Sequence, residues 1–246
     1  QQTDAHLKEI ELQLKDKWIR NCTVHWENNQ IVLGGYFSNT NAFDVDGVFA
    51  ILLDENFSIQ SASIDAFSAD ELRSLQIPNS KSKEIVPLKD YNLNQIVMLD
   101  SGQFAVIGEQ FYKQMHANYD SRVGVTNYSD VFNYNTILVS IYDAKGQLIK
   151  HVGIPKMQST VNDDGYFSSY LVGKNANEFC FYFNDTYKNH GLLGDDLSKI
   201  KTMTNYRKTE IVMLKINDAG VSKRSYLTQT SYKMRLIPSL SEQLRY

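Results

Sequence analysis

Gly34-Gly35-Tyr36-Phe37-Ser38-Asn39, Ile107-Gly108-Glu109-Gln110-Phe111-Tyr112 and Tyr182-Phe183-Asn184-Asp185-Thr186-Tyr187 can be laid over one another as three copies of one pattern. Each copy follows a short apolar stretch of strand character. Each is followed, after a polar insert of variable length, by a second such stretch that runs into an acidic or amide turn. These second stretches are Val48 to Leu53 then Asp54, Ile137 to Tyr142 then Asp143, and Ile211 to Ile216 then Asn217. The copies recur roughly every 75 residues, a period that suits large blade-like β modules separated by long loops.

Working outward from the repeat, the pattern predicts an all-β, β-propeller-like domain spanning 1–246, with about three four-stranded antiparallel blades near 9–67, 95–154 and 166–228. In the first, Leu7, Ile10, Leu14 and Trp18 lie at helical spacing while Ile10, Leu12 and Leu14 alternate; a strand from about Glu9 is the favoured expectation. Ile19 to Trp26, a turn at Glu27-Asn28-Asn29 and Gln30 to Phe37 form an expected hairpin. Gly47 to Leu53 and Ile59 to Phe67 complete that blade. Ser68-Ala69-Asp70-Glu71 has the form of a capping box and predicts a short helix through about Leu75, within a connection over 68–94 whose Pro78 to Pro87 stretch is an expected exposed loop.

The second blade is expected as Gln95 to Leu99, Gln103 to Tyr112, Tyr134 to Tyr142 and Gln147 to Ile154, with an insert from Lys113 to Asn133. The third is expected as Tyr166 to Val172, Glu178 to Asn184, Thr209 to Ile216 and Val221 to Thr228, with an insert from Asp185 to Lys208. Met234 to Pro238 has the character of one more strand beginning. In every blade the insert falls between the second and third strands, so the inserts are expected on one face. Three blades do not close a ring, since propellers use about 4 to 8. The expectation is therefore a portion of a longer propeller, or one completed by a second chain.

Composition narrows the function classes. With 25 basic and 28 acidic residues the net charge is −3, which gives no electrostatic reason to expect nucleic acid or an anionic membrane as partner. No run approaches the roughly 20 apolar residues of a spanning helix. Fifteen Tyr and twelve Phe suit strands and contact surfaces alike. Cys22 and Cys180 sit in separate strand-like stretches, which rules out a disulfide framework and leaves two buried free thiols or a single bridge. The five His show no metal-ligand spacing, and there is neither a Gly-x-Ser-x-Gly elbow nor a phosphate-binding glycine loop, so no cofactor is expected. Asp44-Val45-Asp46-Gly47 has part of the alternation of a calcium loop but lacks its third acidic position and distal Glu; a tight turn is the expectation.

Ile154-Pro155-Lys156-Met157-Gln158, Phe167-Ser168-Ser169-Tyr170 and Phe183-Asn184-Asp185-Thr186-Tyr187-Lys188-Asn189, together with Gly34 to Ser38 and Gly108 to Tyr112, carry a resemblance. From about Leu12 to Pro238 the chain resembles the C-terminal portion of a family of uncharacterised β-propeller-like proteins from Bacteroidetes. The resemblance implies export to the periplasm or cell surface and brings no established activity.

The polar residues concentrated in these motifs are Glu109, Lys156, Gln158, Tyr170, Asn184, Asp185 and Lys188. One expectation places them at a mouth of the propeller axis, where carboxylate, amide and ammonium groups bind a sugar, peptide or ion. The other has them satisfying backbone groups between blades. Glu109 and Asp185 would serve as a glycosidase acid and base only if about 5–9.5 Å apart in one pocket. Tyr112, Tyr119, Tyr128, Tyr134, Tyr187 and Tyr206 enrich the inserts, as recognition loops require or as loop packing requires. The leading expectation is a non-catalytic propeller module of the cell envelope whose inserts bind protein or glycan. The alternatives are a polysaccharide hydrolase or lyase, and a structural subunit.

Overall fold

The computed structural model describes residues 9, 11, 14, 16–40, 44–76, 87–192, 199–217, 220–221, 224–227 and 235–241. It is all-β, built of serial antiparallel sheets. The first sheet contains β1 (Trp18–Glu27) and β2 (Gln30–Ser38); a short β3 (Asp44–Val45) lies outside it, and β4 (Gly47–Asp54) and β5 (Ile59–Ala66) complete it in the order β1-β2-β4-β5. Helix α1 (Ala69–Leu75) and β6 (Leu88–Lys89), which pairs with β3, lead into the second sheet. Its strands β7 (Tyr91–Met98), β8 (Phe104–Asp120), β9 (Val125–Tyr142) and β10 (Leu148–Ile154) pair in sequence order, and β11 (Gln158–Val161) adds to β9. The third sheet is β12 (Leu171–Asn175), β13 (Glu178–Thr186), β14 (Thr209–Asn217) and β15 (Gly220–Val221), with β16 (Ser225–Tyr226) also on β14. A single turn, α2 (Pro238–Ser241), follows.

The second sheet lies between the other two, which explains the unbroken apolar runs in its central strands. Phe104, Val106, Leu138 and Tyr142 pack on Val32, Tyr36, Val48 and Leu52 of the first sheet. The alternate residues Ala105, Ile107, Ile137, Val139 and Ile141 pack on Phe179, Phe181, Phe183, Val212 and Leu214 of the third. A strand covered on both faces has no polar face to display, so alternation disappears. Gly108 marks a tight approach between sheets: a Cβ there would stand 2.3 Å from the Tyr36 hydroxyl.

The acidic turns of the repeat have a shared structure. Asp54 Oδ1 accepts from the backbone N–H of Asn56 and Ser58, both at 2.9 Å. Asp143 Oδ1 accepts in the same way from Lys145 and Gln147, at 2.9 and 2.8 Å. Each carboxylate closes the hairpin between the third and fourth strands by replacing backbone acceptors. The capping box is present too, Glu71 N donating to Ser68 Oγ and Ser68 N to Glu71 Oε2.

Several expectations are corrected. Among the described residues of the strand expected from about Glu9, Glu9, Glu11 and Leu14 are irregular, Lys17 N bonds Leu14 O, and β1 starts at Trp18; the rest of that expected strand lies outside the described residues. The first strand of the second sheet starts at Tyr91 rather than Gln95. The expected loop over Lys113 to Asn133 is a continuation of β8 and β9, which pair as far as Asp120 and Val125 in a long hairpin arm. Tyr166 to Tyr170 is turn and irregular chain, and β12 starts at Leu171. The last strand of the third sheet is divided into β15 and β16. Pro238 opens a helical turn rather than closing a strand; Met234 and most of the Pro78 to Pro87 loop lie outside the described residues. Asp46 is no turn residue but the link between β3 and β4, its backbone bonded to Phe37 and Phe67 and its carboxylate accepting from Ser38 Oγ and Asn39 N. Cys22 is exposed and Cys180 buried, and both are free thiols.

Candidate functional site: a buried ionic network beside a small cavity

The apolar rows between the second and third sheets end in charged and amide groups at one rim. On β8 the row Ala105, Ile107 continues to Glu109, and on β13 the row Phe179, Phe181, Phe183 continues to Asp185. Past β10, the row Val152, Ile154 is extended by Lys156 and Gln158. Period-two alternation therefore delivers these polar side chains to one place. A bulge in β9, where Asn135 and Thr136 together oppose Gln110, breaks the ladder beside Glu109.

Lys156 Nζ forms an ion pair with Glu109, and the side chains are 0% and 2% exposed. It also donates to Gln158 Oε1 at 2.8 Å and to the Tyr134 carbonyl at 3.2 Å. Gln158 Nε2 donates to the Asn184 carbonyl at 2.8 Å. Ser169 joins both groups, donating from N to Gln158 Oε1 at 2.8 Å and from Oγ to Glu109 Oε2 at 2.6 Å. Its φ of +72° lies in the left-handed region, which a serine adopts at an energetic cost and which these two bonds offset.

A second buried pair adjoins the first. Arg224 donates to Asp185 Oδ2 at 2.6 Å and to the Pro155 carbonyl, with both side chains 1% exposed. Asp185 Oδ1 accepts from Thr186 N and Asn189 Nδ2, both at 2.8 Å. Asn184 donates through Nδ2 to the carbonyls of Phe167 and Leu236 at 2.8 Å and accepts from Leu236 N at 3.0 Å. Two cations thus meet two anions, and the rim carries no net charge. Burial pushes the Lys156 ammonium below its usual range, opposed by Glu109; burial raises the Asp185 carboxyl, opposed by the Arg224 guanidinium.

Of the seven residues singled out in the sequence, five meet here: Glu109, Lys156, Gln158, Asn184 and Asp185. Tyr170 is instead buried in the apolar core, its ring 5.9 Å from that of Phe181. Lys188 is exposed in the single 3-10 turn after β13 and stands outside the network. Arg224, Ser169 and Asn189 were missed. Arg224 lay in a stretch that reads as an edge strand, and only the unmatched charge of Asp185 signalled the need for it.

On the open side of Glu109 a cavity of about 230 Å³ is lined by Asn92, Asn94, Phe111, Tyr134, Ser168 and Ser169 among others. Asp185 is not among its lining residues, so the two carboxylates do not converge on one pocket. Among the described residues no group of three or more His, Cys, Asp or Glu is placed to hold a metal ion. A second groove, of about 500 Å³, runs between the first strands of the three sheets and is lined by Thr23, Val24, His25 and Glu27, by Asn94 to Met98 and by Val172 to Lys174. Lys174 ties it across, 2.7 Å from Glu27 and 3.3 Å from Asp100. No helix among the described residues is long and apolar enough to cross a membrane.

Fold and network together define an all-β protein of several antiparallel sheets with a buried ionic network at one rim. Comparison with protein-family models, curated proteins and solved structures finds no match.

Proposed function

We propose that the chain is a non-catalytic, propeller-like recognition module of the bacterial cell envelope that presents its inserts to a protein or glycan. The observation that carries this reading is the β8–β9 hairpin arm. From Gln114 to Tyr128 every residue but the half-buried Asp120 is exposed, and the arm displays Met115, Tyr119, Val123 and Tyr128 at 68%, 67%, 68% and 63% exposure. Tyr and Met provide large contact area on a backbone already ordered by a ladder, so little entropy is lost on binding.

The propeller geometry is supported by the convergence of β1, β7 and β12 on one groove, since first strands line the axis of a propeller. Val24 and Trp26, at 61% and 67% exposure, share the outer face of the first sheet with Ile31 and Leu33. That apolar margin suits packing against a further blade, from the same polypeptide or from a second chain. The envelope location follows the family resemblance. Against catalysis stands the engagement of Glu109 by Lys156 and of Asp185 by Arg224, which leaves neither carboxylate poised to exchange a proton.

Affinity electrophoresis through soluble polysaccharides, together with photo-crosslinking from position 119 in producing cells, tests the proposal. The expected result is retardation or a discrete crosslinked partner that is lost when Tyr119 and Tyr128 are both replaced by Ala. A signal unchanged in that variant overturns it.

A further inference from the structure

We infer that the cavity beside Glu109 binds one pyranose ring at the end of a glycan. At about 230 Å³ it falls below the roughly 300–1,000 Å³ of pockets for drug-sized ligands, so its occupant is a single ring.

Its lining has the two chemistries that a sugar needs. Phe111 and Tyr134 are half-buried, with ring centroids 4.6 Å apart and planes tilted by 40°, and they form an apolar wedge for the C–H face of a pyranose. Hydrogen-bonding groups share the lining. Asn92 and Asn94 are exposed residues, and the carboxamide of each offers donors and an acceptor. Ser168 is 1% exposed, and its Oγ has no hydrogen-bond partner among the described residues. A buried hydroxyl left unpaired costs about 1–3 kcal/mol, a cost that a ligand hydroxyl removes.

Charge selects a neutral polyol over an ion. Glu109 at the floor is matched by Lys156 within the same network, and what remains around the cavity is amide and hydroxyl, with Asp164 exposed at the edge. A small anion would meet Glu109 and Asp164, with no cation among the described residues that line the cavity. Gly165 keeps the wedge closed: a Cβ there would lie 2.6 Å from the Tyr134 ring, and its φ of +68° favours glycine. Asn94 lines both this cavity and the groove between the first strands, which gives the rest of a glycan its exit. The cavity is separate from the hairpin arm, so binding here stands or falls apart from recognition by the arm.

Titration of the purified protein, followed by saturation-transfer NMR and calorimetry, tests the inference. The probes are the methyl pyranosides of glucose, galactose, mannose and N-acetylglucosamine, with spermidine and inorganic phosphate as charged comparisons. At least one glycoside should bind saturably, and Asn92→Ala, at an exposed position that leaves the fold intact, should weaken it at least tenfold. Ser168→Val and Gly165→Ala should weaken it too, whereas Tyr119→Ala with Tyr128→Ala should not. Absence of glycoside binding at about 50 mM, binding of only spermidine or phosphate, or affinity unchanged by Asn92→Ala and Ser168→Val would each overturn it.

Discussion

Glu109 and Lys156 form a buried ion pair, with the ammonium side chain 0% and the carboxylate side chain 2% exposed. Removing one partner leaves an uncompensated buried charge, a loss of about 3–5 kcal/mol. Glu109→Gln and Lys156→Met should each lower stability in urea unfolding by about that much, and the double variant should lose less than the sum. In Glu109→Gln the Lys156 ammonium keeps its burial and loses its counter-charge, so its folded pKa falls further below the unfolded value. The stability linked to a depressed lysine is present above the unfolded pKa and lost as pH falls through the folded one. The variant should therefore recover stability as pH rises from 7 toward 10, a trend that thermal melts follow directly.

Asn184 holds the segment at Leu236 by both its carbonyl and its N–H. Asn184→Leu should leave the apolar core intact and speed amide exchange at Leu236 at least tenfold, corresponding to about 1.4 kcal/mol of local stability. Uniform loss of protection across β8 and β9 would instead mean that the network supports the whole sheet interface.

Lys174 links the third sheet to Glu27 of the first, and each partner's pKa is moved by the other: Glu27 is lowered by its bond to Lys174, and Lys174 is raised by its bond to Glu27. The lowered carboxylate stabilises above its unfolded pKa and loses this effect as pH falls through the folded one. The raised lysine stabilises below its unfolded pKa and loses the effect as pH rises through the folded one. The difference in melting temperature between wild type and Lys174→Met should be largest between those limits, near neutrality, and shrink toward both extremes. Salt should diminish it, because the pair is partly exposed.

Tyr119 and Tyr128 on the arm are 67% and 63% exposed. Tyr119→Ala with Tyr128→Ala should change unfolding free energy by no more than about 0.5 kcal/mol per site. A larger loss would mark these rings as packing groups.

The repeat was legible because its period-two rows and its Asp-closed turns are local: Asp54 and Asp143 announce the same hairpin twice. The arm was not, since strands exposed on both faces, as from Lys113 to Asp120, carry no apolar alternation. Strand ends near Tyr91 and Leu171 were misplaced where bulges and turns, not hydrophobicity, set the boundary. For the site, Glu109, Asp185 and Lys156 could be singled out as polar residues concentrated in the motifs. Their pairing could not, because Arg224 and Ser169 approach from distant segments and register alone decides which cation meets which anion. Tyr170 and Lys188 shared those motifs but point to different surroundings, one in the core and one in solvent.

Recognition without catalysis is the central claim, and release of new reducing ends from a panel of polysaccharides tests it most directly. The wild-type protein should release none above buffer, even from a polysaccharide that retards it in affinity electrophoresis. Release by the wild type that disappears in a folded Glu109→Gln variant would contradict the claim.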